Sequence, residues 1–162
     1  MSLGFIHIPR TGGTYLSGKM RQNGIMAGWR DMELMRLGHD WHTVPRPEVR
    51  AKRDKWFCIV RDPYSRIISE LRWACRRHWY LDALTPPKMG HFCMQTSLSA
   101  SADIILRYET LPESANQMLQ EEGLGAIDFS DFRPVRHSPD EAIREKIYQL
   151  YRDDFEILGY KK

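Results

Sequence analysis

The sequence predicts an α/β protein in which a parallel sheet is flanked by helices on both faces. Compact apolar runs at 3–8 and 56–60 have the form of strands buried inside a parallel sheet. Each run is soon followed by a helical pattern, and strands that alternate with helices form parallel sheets. At 162 residues the chain is long enough to bury one core, so we expect a single domain over 1–162.

Local signals set the elements in chain order. Thr14, Asp62-Pro63 and Ser138-Pro139 are typical helix starts, and Glu141 completes a capping box with Ser138. Gly123 is typical of a helix end. The predicted elements are a strand at 3–8, a helix at 14–23, an irregular or helical stretch to 38, a short helix at 46–53, a strand at 56–60, a helix at 63–79, a loop at 82–91, a short helix near 91–98, a strand at 103–107, a helix from 110 to 123 and a last helix from 138.

Bulk composition is that of an ordinary globular protein, with 42% hydrophobic and 28% charged residues. No apolar run approaches the length of a membrane span and the N-terminus lacks a signal-peptide pattern, so we expect a cytoplasmic protein or a trimmed domain. Cys58, Cys75 and Cys93 form an odd set without paired spacing. We therefore expect free thiols in a reducing compartment and no metal site.

Charge is distributed unevenly along the chain. Residues 1–90 hold 16 Lys and Arg against 8 Asp and Glu, whereas residues 91–162 hold 8 against 13. A basic half would steer a multiply charged anion towards the protein. The alternative is that most of these charges lie on solvated helix surfaces, which is the interpretation we favour for 52–55.

The run Thr11-Gly-Gly-Thr14 directly follows the first predicted strand and has the form of a phosphate-binding loop. Glycines allow backbone amides to face an anion without a Cβ in the way, and the following helix directs its positive end to the same place. The spacing does not match the ATP and GTP loop, which needs four residues between its glycines and then Gly-Lys-Ser/Thr. A plain strand-to-helix turn is the alternative explanation.

A second candidate anchor follows the second predicted strand. Arg61 ends the strand, and Ser69 lies two turns into the next helix on the same polar face as Ser65 and Arg72. Because parallel strands present their carboxyl ends at one edge of a sheet, Arg61 and Ser69 could converge there on one anionic group. The alternative for Arg61 is a buried structural role.

Together the two anchors resemble a known family. Residues 5–14, FIHIPRTGGT, resemble the 5′-phosphosulfate loop of sulfotransferases that use 3′-phosphoadenosine 5′-phosphosulfate (PAPS). Residues 58–69, CIVRDPYSRIIS, resemble their 3′-phosphate motif. Residues 107–109 and 151–160 also resemble this family, especially its carbohydrate-type, heparan/chondroitin sulfotransferase-like branch. The resemblance implies a P-loop-containing nucleotide hydrolase-like (sulfotransferase) fold.

The resemblance also implies how the donor would be held. The 5′-phosphosulfate would meet the amides of 11–15 and the hydroxyls of Thr11 and Thr14, and the 3′-phosphate would meet Arg61 and Ser69. The implied donor-binding set is Arg10, Thr11, Gly12, Gly13, Thr14, Tyr15, Arg61 and Ser69. No metal is required by this interpretation.

Arg10 departs from the family pattern, in which a Lys commonly stabilises the leaving group. An arginine cannot easily give up its proton, because its pKa lies above about 12. The leaving oxygen belongs to a phosphate with a second pKa near ~6, so it can depart without being protonated. Arg10 can therefore supply positive charge as a catalytic residue without acting as an acid.

A histidine is the side chain best matched to accept the acceptor's proton at neutral pH. Segment 38–45 holds two candidates, His39 and His42, and the resemblance favours His42 as the catalytic base. Glu109 would orient that base or line the acceptor site, or else form a structural ion pair. The resemblance adds Arg133 and Arg136 as further nucleotide contacts. Two roles are open for Trp73, Trp79 and Tyr80: they could form a wall that faces a sugar, or they could take part in ordinary helix packing.

The function expected from the sequence is transfer of a sulfuryl group from PAPS to a hydroxyl acceptor, for which the carbohydrate-type branch favours a sugar. One alternative is a nucleotide-binding, kinase-like phosphotransferase, which would prefer ATP with magnesium. Another is a non-catalytic module that binds a polyanion, whose binding would weaken steeply with salt. No recognisable nucleic-acid motif is present, and the sequence leaves the acceptor and the oligomeric state open.

Overall fold

The computed structural model describes residues 2–27, 31–76, 78–82 and 84–162. Its centre is a parallel sheet of three strands in the order β1-β2-β3: β1 (Leu3–Ile6), β2 (Lys55–Val60) and β3 (Ile104–Arg107). Phe5 lies opposite Phe57, and Cys58 opposite Ile105, in the two parallel registers. The predicted α/β class with a parallel sheet is confirmed.

Helices occupy the segments between and after the strands. Their bounds are α1 (Gly13–Gln22), α2 (Met32–Arg36), α3 (Pro47–Arg50), α4 (Pro63–Trp73), α5 (Gln95–Ser99), α6 (Leu111–Glu121), α7 (Glu141–Leu150) and α8 (Arg152–Leu158). Short 3-10 turns occupy His78–Asp82 and Tyr108–Thr110. Among the described residues, no helix has the length and apolar character needed to cross a membrane.

Alternation along the central strand sends its side chains to two different cores. Phe57 and Ile59 join one apolar cluster with residues of α1 and α6, and Cys58 and Val60 join another on the opposite face with Leu34, Val49 and Leu98. A third cluster lies between α4, α7 and α8. Helices therefore cover both faces of the sheet, as the sequence predicts.

Two predicted helix starts are wrong. α1 is preceded by Gly12 in the left-handed region (φ 87°), so Thr14 lies inside the helix rather than capping it. α7 is capped by Asp140, whose carboxylate accepts a hydrogen bond from the amide of Ile143 (3.0 Å), and not by Ser138. Either residue has a suitable side chain. The Asp62 cap is confirmed, because its carboxylate accepts from the Ser65 amide at 2.8 Å.

Three predicted lengths also differ from the structure. β1 ends at Ile6 rather than at residue 8. α4 ends at Trp73 rather than continuing to 79, and Cys75 follows it with a positive φ of 52°. The last predicted helix is divided at Tyr151, whose hydroxyl donates to the carbonyl of Phe92 (2.8 Å). This long-range contact is invisible to local helical periodicity.

Candidate functional site

A cleft of about 360 Å³ opens at the carboxyl ends of β1 and β2, which we call the main cleft. Seven of the eight residues expected to bind the donor line it: Arg10, Gly12, Gly13, Thr14, Tyr15, Arg61 and Ser69. The other lining residues are His7, Tyr108, Val135 and His137. Ligands of open parallel sheets sit at this edge, so the location is typical of a binding site.

The two glycines of the loop are required by its geometry. Gly12 has a φ of 87°, a conformation that other residues adopt with strain. A Cβ on Gly13 would lie 2.6 Å from the Cζ atom of Phe5 and 2.7 Å from the Cδ2 atom of His7. Among the described residues no side chain caps the start of α1. The first amides of this ten-residue helix therefore face the main cleft without an intrahelical acceptor.

Arg10 links the loop to the second anchor. Its backbone lies in the left-handed region (φ 65°), and its carbonyl accepts a hydrogen bond from the Nη1 atom of Arg61 at 3.0 Å. Its own Nε atom donates to the hydroxyl of Ser69 at 3.1 Å. Arg10, Arg61 and Ser69 therefore meet at one wall, although Ser69 lies 59 positions from Arg10 in the chain.

Arg61 is held rigidly although it faces the cleft. The side chain donates to the carbonyls of Arg10 and Val135, and its guanidinium lies 4.2 Å from the centre of the Tyr108 ring. Its backbone amide donates to the Oε1 atom of Gln95 (2.8 Å). The residue is 4% exposed, and its Nε atom has no hydrogen-bond partner among the described residues. Burial lowers the pKa of Arg61 below its ordinary value, which indicates a poorly solvated cation that an anion would stabilise.

The hydroxyl residues of the loop do not all face the cleft. Thr11 is fully buried and its hydroxyl donates to the carbonyl of Ile8 (2.7 Å), so it fixes the turn rather than lining the cavity. Thr14 is exposed and lines the main cleft. Tyr15 also lines it, and its hydroxyl donates to Asp131 at 2.6 Å. Burial and Asp131 raise the pKa of Tyr15.

A smaller cavity of about 300 Å³ adjoins the main cleft, which we call the side pocket. It is lined by His7, Thr14, Asp40, Trp41 and His42, so His7 and Thr14 border both spaces. Burial lowers the pKa of His42, the nearby His91 lowers it further, and Asp40 opposes both effects. His42 is therefore favoured as the neutral imidazole, the form that can accept a proton.

His39, the other candidate base, lies in a different environment. It is 8% exposed, and its ring packs edge-on against Trp41 and Trp56 at 4.9 and 5.7 Å between ring centres. Burial lowers the pKa of His39 as well. His39 lies within the core rather than on the wall of either cavity, so the structure places His42, and not His39, where a ligand can reach it.

Sequence reasoning assigned no role in the site to three residues that line the main cleft, His7, Tyr108 and His137, or to His91, which contacts His42. Burial lowers the pKa of His7 to about 4, with His42 and His91 adding to the effect. Its position could have identified His7, because it directly follows β1 at the edge of the sheet where ligands bind. Tyr108 directly follows β3, so the strand end was a signal for it as well, whereas no local pattern indicated His137.

The remaining candidates lie beside the cavities or stabilise the fold. Glu109 accepts hydrogen bonds from the Asp62 amide (2.7 Å) and the Tyr160 hydroxyl (3.1 Å), so it neither orients His42 nor pairs with Arg107. Arg107 donates to the carbonyl of Leu158. Arg133 borders the Tyr15 side of the cleft, and Arg136 lines a neighbouring cavity with Glu109. Of the expected sugar-facing wall, Trp73 stacks on His91, Tyr80 packs on Phe92, and the side chain of Trp79 lies outside the described residues.

No protein-family model matches the chain, and no curated protein matches it either. Within the described ranges, no group of three or more His, Cys, Asp or Glu side chains is arranged to hold a metal ion.

Proposed function

We propose that this chain is a PAPS-dependent sulfotransferase of the carbohydrate type, with a sulfotransferase fold of the P-loop-containing nucleotide hydrolase class. The observation that carries the proposal is the convergence of Arg10, Arg61 and Ser69 at the uncapped start of α1. This arrangement supplies two separate anion-binding elements in one cleft. A donor with phosphate groups at both its 3′ and 5′ positions requires two such elements, whereas ATP requires one for its single phosphate chain.

Different residues of the main cleft would bind the two ends of the donor. Arg61 and Ser69 would bind the 3′-phosphate through charge-assisted hydrogen bonds. The amides at the start of α1 would bind the 5′-phosphosulfate, where the helix dipole favours negative charge. Thr11 would act through the turn that it fixes, since its hydroxyl is already bonded to Ile8.

The side pocket would hold the acceptor hydroxyl next to the sulfuryl group. His42 would accept the proton as the O–H bond breaks, and the acceptor oxygen would form the new bond to sulfur. The bond between sulfur and the bridging oxygen would break, leaving its electron pair on the 5′-phosphate of adenosine 3′,5′-bisphosphate. Arg10 would stabilise that charge by its position in the cleft. The half-buried Trp41 would offer a flat apolar face to a sugar ring.

Calorimetric titration with adenosine 3′,5′-bisphosphate and, separately, with ATP and magnesium tests the donor site. We expect metal-independent binding of the bisphosphate that is tighter than binding of ATP. A preference for ATP with magnesium would favour a phosphotransferase. Binding of every polyanion in proportion to its charge, with steep salt dependence, would favour a polyanion-binding module.

Transfer itself is tested with ³⁵S-labelled PAPS and a panel of sugars and oligosaccharides. We expect incorporation of label into at least one hydroxyl acceptor, and a loss of about 100-fold or more in His42→Gln if His42 is the general base. The variant should retain its affinity for adenosine 3′,5′-bisphosphate, because His42 borders the side pocket and not the main cleft. Equal rates in both proteins would contradict the assignment of His42.

A further inference from the structure

Two buried charged residues of α4 converge on one histidine of a loop. The Oε1 atom of Glu70 lies 3.1 Å from the Nδ1 atom of His91, and the Nη1 atom of Arg66 donates to the His91 carbonyl at 3.2 Å. Arg66 and Glu70 are both 0% exposed, whereas the His91 side chain is 37% exposed. Buried charges are costly unless they are paired and hydrogen-bonded. The fold therefore uses two such groups to fix one half-exposed residue.

The ring that they fix lies against His42. The centres of the His91 and His42 rings are 4.8 Å apart, with an angle of 80° between the ring planes. The amide of Gly90 also donates to the His42 carbonyl at 3.3 Å. Trp73 stacks on His91 at 4.7 Å with an angle of 1°. His91 is thus restrained by Glu70 at one nitrogen, by Trp73 across its face and by the backbone on each side.

The contact with Glu70 also selects one tautomer of the neutral imidazole. When Glu70 is ionised it can only accept hydrogen bonds, so a neutral His91 would meet it with the proton on Nδ1 and not on Nε2. An imidazole that is oriented by a buried carboxylate through Nδ1 is a recurrent arrangement around catalytic bases. His91 is not itself a wall residue of the side pocket, so it acts on the chemistry through His42.

We propose that His91 is a positioning residue for His42: Glu70 fixes the His91 ring, and this ring in turn holds His42 in its orientation. The catalytic meaning of this arrangement rests on the proposed function, whereas the arrangement itself does not. Imidazolium rings at this separation repel one another, so a proton on one disfavours a proton on the next. His91 accordingly contributes to the lowered pKa of His42.

Other groups around His42 oppose or reinforce this effect. His7 lies on its other side, at 5.2 Å between ring centres, and Asp40 accepts from the His42 amide at 3.0 Å. Asp40 raises the pKa of His42, and burial of the ring lowers it. Removing His91 leaves these neighbours in place, so the contribution of His91 can be measured separately.

Histidine side-chain NMR of the full chain, labelled with ¹³C and ¹⁵N, tests the proposal without any ligand. In the unmodified protein at neutral pH, the ¹⁵N shifts should show His91 as the Nδ1–H tautomer. In Glu70→Gln that tautomer preference should weaken, because the amide of glutamine can either accept from Nδ1 or donate to it. In His91→Gln the titration of His42 between pH 4.5 and 8 should move to higher pH, because a repelling neighbour has been removed.

Glu122→Gln is the matched control. Glu122 is also buried, its Oε1 atom bonds to a cation, Lys55, at 2.6 Å, and its Oε2 atom, like that of Glu70, has no hydrogen-bond partner among the described residues. It does not contact the histidines, so this variant should leave the His91 tautomer and the His42 titration unchanged. Equal changes in Glu122→Gln and Glu70→Gln would reveal a general loss of packing and overturn the proposal.

Two results would each overturn the proposal directly: His91 as the Nε2–H tautomer in the unmodified protein, or an unchanged His42 titration in His91→Gln. If Glu70→Gln does not fold, the more exposed His91→Gln still decides the question. Failure of the proposed function would appear in the nucleotide titration instead, with these NMR results intact. The two proposals can therefore fail separately.

Discussion

Arg61 and Arg66 lie five residues apart and make similar contacts, but Arg61 lines the main cleft and Arg66 does not. Both are buried, at 4% and 0% exposure, and both donate to two backbone carbonyls. Each guanidinium also lies near a tyrosine ring, at 4.2 Å from Tyr108 and 5.6 Å from Tyr151. In each case the Nε atom lacks a hydrogen-bond partner among the described residues.

The difference is what lies beyond the guanidinium. Arg61 faces the main cleft, and a second arginine, Arg10, shares that cleft. Arg66 is sealed by the third apolar cluster and has Glu70 one helical turn further along α4. Burial and contacts with backbone carbonyls therefore do not distinguish the two arginines. Access to a cavity does distinguish them, because Arg61 lines the main cleft and Arg66 does not.

Arg66→Ala should have the largest effect, and the effect should be on stability. Removing this side chain leaves the buried carbonyls of His91 and Cys93 without a donor and takes a positive charge away from Glu70, one helical turn along α4. A buried acceptor without a donor costs about 1–3 kcal/mol, so the free energy of unfolding should fall by about 2–6 kcal/mol. Urea unfolding measures it. The double variant Arg66→Met/Glu70→Gln should recover part of the lost unfolding free energy. A loss below ~1 kcal/mol in Arg66→Ala would show that Arg66 contributes little to the stability of the fold.

Arg61→Ala should mainly affect binding. Charge-assisted hydrogen bonds are worth about 1.5–3 kcal/mol, so the affinity for adenosine 3′,5′-bisphosphate should fall roughly 10- to 100-fold. Calorimetry measures the change. Arg21→Ala is the control, because it removes the same charge from an exposed position at the far end of α1. If the two variants lost affinity equally, binding would depend on the net charge of the protein and not on the position of Arg61 in the cleft. The contrast drawn between Arg61 and Arg66 would then be wrong.

His7 lines the same cleft as the two arginines Arg10 and Arg61, but its surroundings disfavour its positively charged form. Its pKa is lowered to about 4 in the folded protein, from an ordinary value of 6.5, mainly by burial. The unfolded chain therefore binds a proton at higher pH than the native protein, and stability is lost as pH falls from about 6.5 towards 4. Between pH 7 and pH 5 this loss amounts to roughly 2 kcal/mol. In His7→Gln the difference in unfolding free energy between these pH values should shrink by about that amount; an unchanged difference would show that His7 titrates normally.

Ser69→Ala should have the smallest effect. Its hydroxyl accepts one hydrogen bond from Arg10 at 3.1 Å and is available to one phosphate oxygen. Loss of a single neutral hydrogen bond is worth about 1 kcal/mol, so the bisphosphate affinity should fall roughly five-fold. Ser114→Ala serves as a control, since the Ser114 hydroxyl donates to the Thr110 carbonyl (2.9 Å) and the residue lines neither the main cleft nor the side pocket. A loss as large as that in Arg61→Ala would mean that Arg10 depends on Ser69 for its position.

The sequence was most informative where structure depends on neighbouring residues. Alternation of apolar runs with helical patterns was enough to predict the parallel sheet, and the strand ends then located Arg10 and Arg61 at one edge. The cap at Asp62 was also predictable, because its partner lies three residues away. The caps predicted at Ser138 and Thr14 were wrong because several residues near each helix start could serve as a cap. Capping propensity alone does not choose among them.

The sequence by itself therefore determined the α/β class, the glycine-containing turn between the first strand and the first helix, and the position of Arg10 and Arg61 after strands. Only the tertiary structure decided that Thr11 faces inward, that His42 rather than His39 reaches a cavity, and that Glu109 stabilises the chain end. It also decided that Glu70 and Arg66 are committed to His91, 21 and 25 positions away. The physical reason is that strand and helix patterns depend on local periodicity, whereas the burial, charge and partners of a side chain depend on which distant segments pack against it.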